Sequence, residues 1–362
     1  MHPPSNREHQ PDKSVSPNSE HQFKGYPMPR PASSVLYVAT ILTSLLLITC
    51  STNPHAAQMT STLIVSGSHI DITIDGDKKS LNESDVLAWV QTAAESIATY
   101  YGRFPVPHLT LRITPFSGHG VRHGQTFGMR GGLIKIGLGT ETTREELMHD
   151  WMMTHEMIHL AFPSVPDQHH WIEEGLSVYV EPIARIRAHH MHEKEMWTDL
   201  IRDMPKGQPQ PGDEGLDHTH TWGRTYWGGA LFAFVADTEI HRQTQNKKGL
   251  QDALRAILEA GGDIRTDWPL TKALSIGDQS TDTTVLTDLY NQMKGKPVTV
   301  DLDAKWKDLG VELNGGTVHL NDDAPLSAIR RAITGSASSA DSSSNPPAPQ
   351  PHVVLAGRKF HR

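Results

Sequence analysis

The strands legible as period-two alternation or short apolar runs fall before Gly139, and the chain looks mainly helical from Thr142 onward. Leu63-Ile64-Val65 and Ile70-Asp71-Ile72-Thr73-Ile74 read as strands around a turn at Gly67, the second alternating strictly. Leu109-Thr110-Leu111-Arg112-Ile113 alternates again, and Leu133-Ile134-Lys135-Ile136 follows Gly131-Gly132 as a fourth strand. In front of the third strand, Asn82 or Ser84 caps a helix running through Tyr101, with Val86, Leu87, Val90, Ala94 and Ile97 on one face. After Thr142 the helical pattern continues to about Ala161, where Pro163 and Pro166 stop it. Further helices are expected over residues 171–190, 226–239, 250–260 (ahead of Gly261-Gly262) and 283–293. A small mixed sheet in the front half and a mainly helical back half define an α+β chain.

Only residues 58–334 need to take part in that fold. The first 34 residues are polar and interrupted by Pro3, Pro4, Pro11, Pro17, Pro27, Pro29 and Pro31, too poor in apolar side chains to bury anything. Residues 35–50, VLYVATILTSLLLITC, then carry no charge at all. A spanning helix needs roughly 20 apolar residues, so the run reads better as the apolar core of a secretory signal, with Arg30 as its positive flank and Met28 as an alternative start. Its end, Leu47-Ile48-Thr49-Cys50, resembles a bacterial lipobox, with Thr49 where that pattern has a small residue; cleavage near His55-Ala56-Ala57 is the other option. The expectation is export to the periplasm or cell envelope, with lipidated Cys50, or the apolar segment itself, as the membrane attachment. A buried apolar helix ending in an ordinary thiol is the alternative. Residues 335–362 form a Ser/Pro-rich tail expected to be disordered.

Charge and cysteine usage exclude several classes. Thirty-three Lys+Arg against 41 Asp+Glu give a net charge of −8 without a basic run, which argues against nucleic acid as a partner. One cysteine cannot form an internal disulfide. The 22 histidines draw attention to metals. Most of them sit in polar clusters (His169-His170, His189-His190, His192, His218, His220) that read as solvated rather than as a second metal site.

Two histidines are different. His155-Glu156-Met157-Ile158-His159 is an H-E-x-x-H sequence inside the 142–161 helix, uninterrupted by Pro or Gly. Spacing of i and i+4 puts both imidazoles on one helix face, where they can share a zinc ion, and Glu156 beside them is placed to act as general base toward water. Chance would produce this motif only about 0.06 times in a chain of this composition. Met148, Met152, Met153 and Met157 are core residues of the same helix. A catalytic zinc needs a third protein ligand and one open position. The metzincin continuation requires Gly and His at positions occupied here by Phe162 and Val165, so that branch is excluded.

The segment Trp171-Ile172-Glu173-Glu174-Gly175-Leu176-Ser177-Val178-Tyr179-Val180-Glu181 resembles the W-x-x-E-G-x-x-x-x-x-E stretch of the gluzincin zinc aminopeptidases, the M1 and M61 families. The resemblance implies a thermolysin-like catalytic domain, one zinc per chain and a peptide or protein substrate. It makes Glu174 the third zinc ligand and Glu181 a neighbouring acid able to orient His155 or His159. Fourteen residues separate His159 from Glu174, fewer than the M1 pattern has. Glu173 competes with Glu174, because adjacent helical residues point about 100° apart and only one reaches the metal. Asp150 and Thr154 are lesser candidates for the same orienting role as Glu181. Tyr226-Trp227-Gly228-Gly229-Ala230-Leu231 resembles the Y-x-x-G-A-L helix opening of these families, whose tyrosine stabilises the oxyanion; the other reading packs Tyr226 with Trp222 and Trp227 in an aromatic core. Upstream, Phe127-Gly128-Met129-Arg130 lies where the aminopeptidases carry G-x-M-E-N, and Arg130 replaces the acid that holds a substrate's amine. Residues 133–138 could still receive an extended peptide as an edge strand.

The sequence therefore points to an exported zinc metallopeptidase. A catalytically silent, lipid-anchored peptide-binding module and a histidine-rich metal-binding surface protein are the other two classes it leaves open.

Overall fold

The computed structural model describes residues 59–75, 81–128, 131–336 and 353–355. Strands β1 (Met59–Val65) and β2 (Ser68–Ile74) form an antiparallel hairpin, whose Ser66-Gly67 turn has positive φ at both positions, matching the twist of the strands. Helix α1 (Glu83–Tyr101), capped by the Asn82 side chain on the Ser84 amide, makes the crossover that lets β3 (His108–Phe116) lie parallel to β2. Strand β4 (Val121–Phe127) turns back along β5 (Leu133–Gly139), which pairs in parallel with β3. The sheet order is β4-β5-β3-β2-β1-β8, with β8 (Val353–Leu355) antiparallel to β1. The period-two apolar residues Ile70, Ile72, Leu109, Leu111, Ile113, Ile134, Ile136 and Leu138 are all buried in one core with Val86, Val90, Ala94 and Ile97 of α1.

This arrangement corrects two expectations. Strand β5 lies between β4 and β3, so the sheet's open edge next to the helices is β4. The polar sequence of β4, with Gly124 at its centre, hides it from an apolar pattern search. Residues 353–355, within the tail expected to be disordered, form an edge strand.

The continuous helix expected over 142–161 is two helices, α2 (Arg144–His149) and α3 (Met152–His159). Thr143 and Glu146 form a capping box at the start of α2. Asp150 then leaves the helical conformation (φ −64°, ψ 134°), and its carboxylate accepts the Met153 amide at 3.1 Å. A short acid side chain that can satisfy a free helix amide favours ending one helix and starting another. The indole of Trp89 on α1 donates to the same carboxylate at 3.0 Å, tying the break to the core. Met153 and Met157 are fully buried, and Met148 and Met152 pack partly buried against the core.

Helix α4 (His170–Arg187) follows a short 3-10 turn at Asp167–His169. The chain continues through α5 (Glu193–Asp203) and a 3-10 turn, Met204–Gly207, to a π-helical turn, Gly223–Gly228, that runs straight into α6 (Gly229–Gln243). Then come α7 (Leu250–Glu259), α8 (Leu270–Thr281), α9 (Val285–Met293), α10 (Leu302–Leu309), the hairpin β6 (Val311–Asn314) and β7 (Thr317–Leu320), and α11 (Ser327–Thr334). The architecture is mixed α and β, with the helices concentrated after residue 140.

The apolar run 35–50, Cys50, Met129 and Arg130 lie outside the described residues. Among the described residues no helix is long and apolar enough to cross a membrane.

Candidate metal centre

Helices α3 and α4 face each other and bring three side chains together. Nε2 of His155 lies 3.2 Å from Oε2 of Glu174, and Nε2 of His159 lies 3.7 Å from the same oxygen. One ligand atom from each of His155, His159 and Glu174 falls within 4.8 Å of the others. A tetrahedral metal with bonds of about 2.1 Å has ligand-to-ligand edges of about 3.4 Å. The observed separations bracket that edge, and two imidazoles with one carboxylate are a donor set suited to zinc. The three residues could therefore hold such an ion. They are the metal-competent group found among the described residues.

Burial and neighbouring groups set the charge states of His159 and Glu174. Burial pulls the His159 imidazole down to about 4, against the Glu174 charge and with help from His155 and His170, so the ring is neutral at ordinary pH. Burial opposes ionisation of Glu174, yet the bond from His155, the charge of His159 and the bond from His170 outweigh it and hold the carboxyl well below its usual range. A neutral imidazole and an ionised carboxylate are the forms that ligate metal.

Glu156, next to His155 on α3, meets the sheet. The Thr126 hydroxyl of β4 donates toward Glu156 Oε2 at 2.6 Å and also lies 2.9 Å from the Glu156 carbonyl oxygen. Gly124 makes room: a Cβ there would sit 2.4 Å from Glu156 Oε1. Burial raises the Glu156 carboxyl above its ordinary value, offset by His155 and the Thr126 bond and reinforced by the Glu174 charge. Such a shift moves a carboxylate toward the range useful for proton transfer near neutrality.

Tyr226 reaches the cluster from the π-helical turn. Its ring lies parallel to His155 at 6.5 Å and to Trp222 at 5.9 Å, and it is half-buried, so it is no part of an aromatic core. Trp222 is itself 52% exposed. Burial, then the Glu174 and Glu156 charges, push the Tyr226 phenol well up, leaving it a hydrogen-bond donor at all ordinary pH. Two residues before it, the fully buried Arg224 pairs with Asp213 at 2.7 Å and anchors the turn. The contact between α4 and α6 explains the glycines of both segments. A Cβ on Gly175 would lie 2.2 Å from Gly229 Cα, and one on Gly229 would lie 2.0 Å from the Trp171 carbonyl oxygen. Backbone-to-backbone packing at this crossing places Tyr226 beside Glu174.

Glu174, not Glu173, faces the histidines; Glu173 accepts from the Val165 amide at 3.4 Å and lies 3.0 Å from His170 Nδ1. Glu181 is buried but does not bond to either histidine. Its carboxylate accepts from Arg185 at 2.9 Å, and burial raises it to about 7 despite that partner. The side chain against His159 Nδ1 is instead Ser177, at 3.3 Å. One helical turn separates Ser177 from Glu174, a spacing that could have singled it out. His155 Nδ1 has no hydrogen-bond partner among the described residues. Asp150 is a helix cap, and Thr154 is buried.

The histidine clusters do not all read as solvated. His169 is buried, with Nδ1 2.9 Å from Asp217, which also accepts from Trp171 Nε1 and Tyr290 OH at 2.9 Å each. This buried network had no local signal, because Asp217 and Tyr290 are distant in sequence. His170, half-exposed, contacts both glutamates: Nδ1 is 3.0 Å from Glu173 Oε2 and Nε2 is 3.1 Å from Glu174 Oε1. Those bonds, with Glu173 first, raise it to about 10. His190 approaches Glu95 at 3.4 Å, and His189, His192, His218 and His220 are exposed or nearly so.

No protein-family model matches the chain, and no curated protein does. Among solved structures it is similar to an M1 zinc metallopeptidase from Deinococcus radiodurans, with a TM-score of 0.45 and 13% identity over 67% of this chain and 52% of that one. It is also similar to an aminopeptidase N family protein from Idiomarina loihiensis, with a TM-score of 0.49 and 14% identity over 70% of this chain and 49% of that one. The chain spans about half the length of these structures.

Proposed function

We propose that this chain is a zinc-dependent peptidase whose metal is held by His155, His159 and Glu174 and whose general base is Glu156. The observation that carries this reading is the convergence of two imidazole nitrogens and one carboxylate oxygen at ligand spacing, with a second, buried carboxylate one residue from the first histidine. A zinc ion in that group supplies Lewis acidity toward a carbonyl and toward water.

The chain's own residues supply the remaining functions. Glu156, raised by burial, accepts the proton of the attacking water and returns it to the leaving amine. Thr126 holds one oxygen of Glu156 and leaves the other, which lies over Gly124, free to take the proton. The Tyr226 phenol, kept protonated, donates to the developing oxyanion. The outer edge of β4, unpaired among the described residues, offers backbone groups to an extended peptide beside Glu156. A location in the cell envelope is part of this proposal, supported by the uncharged apolar run 35–50, and the mass of the mature N-terminus tests it.

The test is a peptide-library digest with zinc content measured on the same sample. One zinc per chain and cleavage by the native protein are expected, with Glu156→Gln retaining zinc but losing cleavage. Tyr226→Phe is expected to lower kcat by about 10²–10³-fold, the effect of removing one oxyanion donor. A native chain that holds one zinc but cleaves nothing beyond what Glu156→Gln cleaves refutes the proposal.

A further inference from the structure

The doublets His169-His170 and Glu173-Glu174 both split in the fold. Asp217 takes His169 into the buried network behind α4, and Glu174 turns to the histidines of α3. That leaves His170 and Glu173, one turn apart on the exposed side of α4. They meet at 3.0 Å, and the other nitrogen of His170 reaches the second oxygen of Glu174 at 3.1 Å. Glu174 thus has its two oxygens assigned to different partners: Oε2 toward His155 and His159, Oε1 toward His170.

The division matters for a metal with four positions. A carboxylate that turns both oxygens to zinc fills the place that a catalytic site must keep open. A carboxylate with one oxygen held elsewhere binds through the other alone. We propose that His170 is a positioning residue: through its bond to Oε1, itself steadied by Glu173 on the far side of the ring, it holds Glu174 as a one-oxygen metal ligand.

This inference rests on the metal site proposed above and deepens it. Residues that orient a ligating side chain typically contribute about 10–100-fold to metal affinity. The sequence around the site offers a sharp pair of substitutions. A glutamine amide nitrogen can occupy the place of His170 Nε2, whereas an asparagine nitrogen can only mimic Nδ1 and reach Glu173.

The experiment measures zinc affinity of the full chain by competition with a chromophoric chelator, alongside melting of the metal-free protein. His170→Ala and His170→Asn are expected to weaken zinc binding by about 10–100-fold, and His170→Gln to stay within about threefold of the native chain. Glu173→Gln is expected to fall between them, and metal-free melting to be unchanged throughout. Native affinity in His170→Ala, with binding still lost in Glu174→Ala, overturns the positioning role and leaves the metal site standing. Weakening that is equal in the Ala, Asn and Gln variants and follows a lowered metal-free melting temperature also overturns it, as a merely structural effect. A native chain that binds no zinc overturns both this inference and the proposed function.

Discussion

Replacing Gly175 by alanine sets two physical effects against each other, and the structure decides the sign. Gly175 lies inside α4, where alanine is favoured over glycine by about 1 kcal/mol on helix propensity alone. Yet its Cβ would lie 2.1 Å from the Gly229 carbonyl carbon, 2.2 Å from Gly229 Cα and 2.6 Å from the Ala230 nitrogen. All three are backbone atoms, so no side chain can rotate away, and α4 and α6 must part by roughly 1 Å in an otherwise close-packed core. Overpacking of this kind costs about 1–3 kcal/mol, and backbone on both sides puts it at the upper end. The net loss is about 2 kcal/mol, or a fall of about 4–8 °C in Tm for a domain of this size. The same displacement separates Tyr226 from Glu174, and misplacement of about 1 Å in a catalytic group can lower turnover about 100-fold. Thermal melting and peptide hydrolysis measure both effects. Gly295→Ala, at a position with nothing within 4 Å of its Cβ, is the control and is expected to be neutral. If Gly175→Ala melts at or above the native protein and cleaves normally, the close helix crossing is not what positions the site.

Gly124→Ala places a methyl against the Glu156 carboxylate rather than against backbone, so it is expected to spare Tm within about 2 °C while lowering kcat at least tenfold; equal kcat would remove Gly124 from the argument. Asp217→Ala strands the buried donors of His169, Trp171 and Tyr290 and is expected to destabilise by about 3 kcal/mol, read as a lower urea midpoint with an unchanged m-value. Zinc binds the folded chain through residues that only folding brings together, so zinc at 100 times its Kd is expected to add about 2.7 kcal/mol of stability. A chelator should remove that increment from the native chain, and Glu174→Gln should show little of it from the start. An Asp150→Ala change, which removes the carboxylate that caps α3 and accepts from Trp89, is expected to cost about 1–2 kcal/mol in chemical denaturation.

The sequence alone determined the features that depend on neighbours along the chain. The i, i+4 histidine pair, the glutamate between them and the glutamate-glycine step are all written in local spacing, because one helix turn brings such residues together whatever surrounds them. The sheet-first order of elements was equally plain, since period-two burial leaves a period-two pattern in Ile70, Ile72 and Ile74. Tertiary structure decided the rest. Whether residues 142–161 stay one helix depended on Trp89 and Met153 meeting the Asp150 carboxylate, and the polar edge strand β4 has no fully buried residue to advertise it. Of two adjacent histidines, only Asp217, far along the chain, decided which is buried and which is left to Glu174. Periodicity records which face of an element is covered; it does not record what covers it, and the partners of buried polar groups are chosen by contacts between residues distant in sequence.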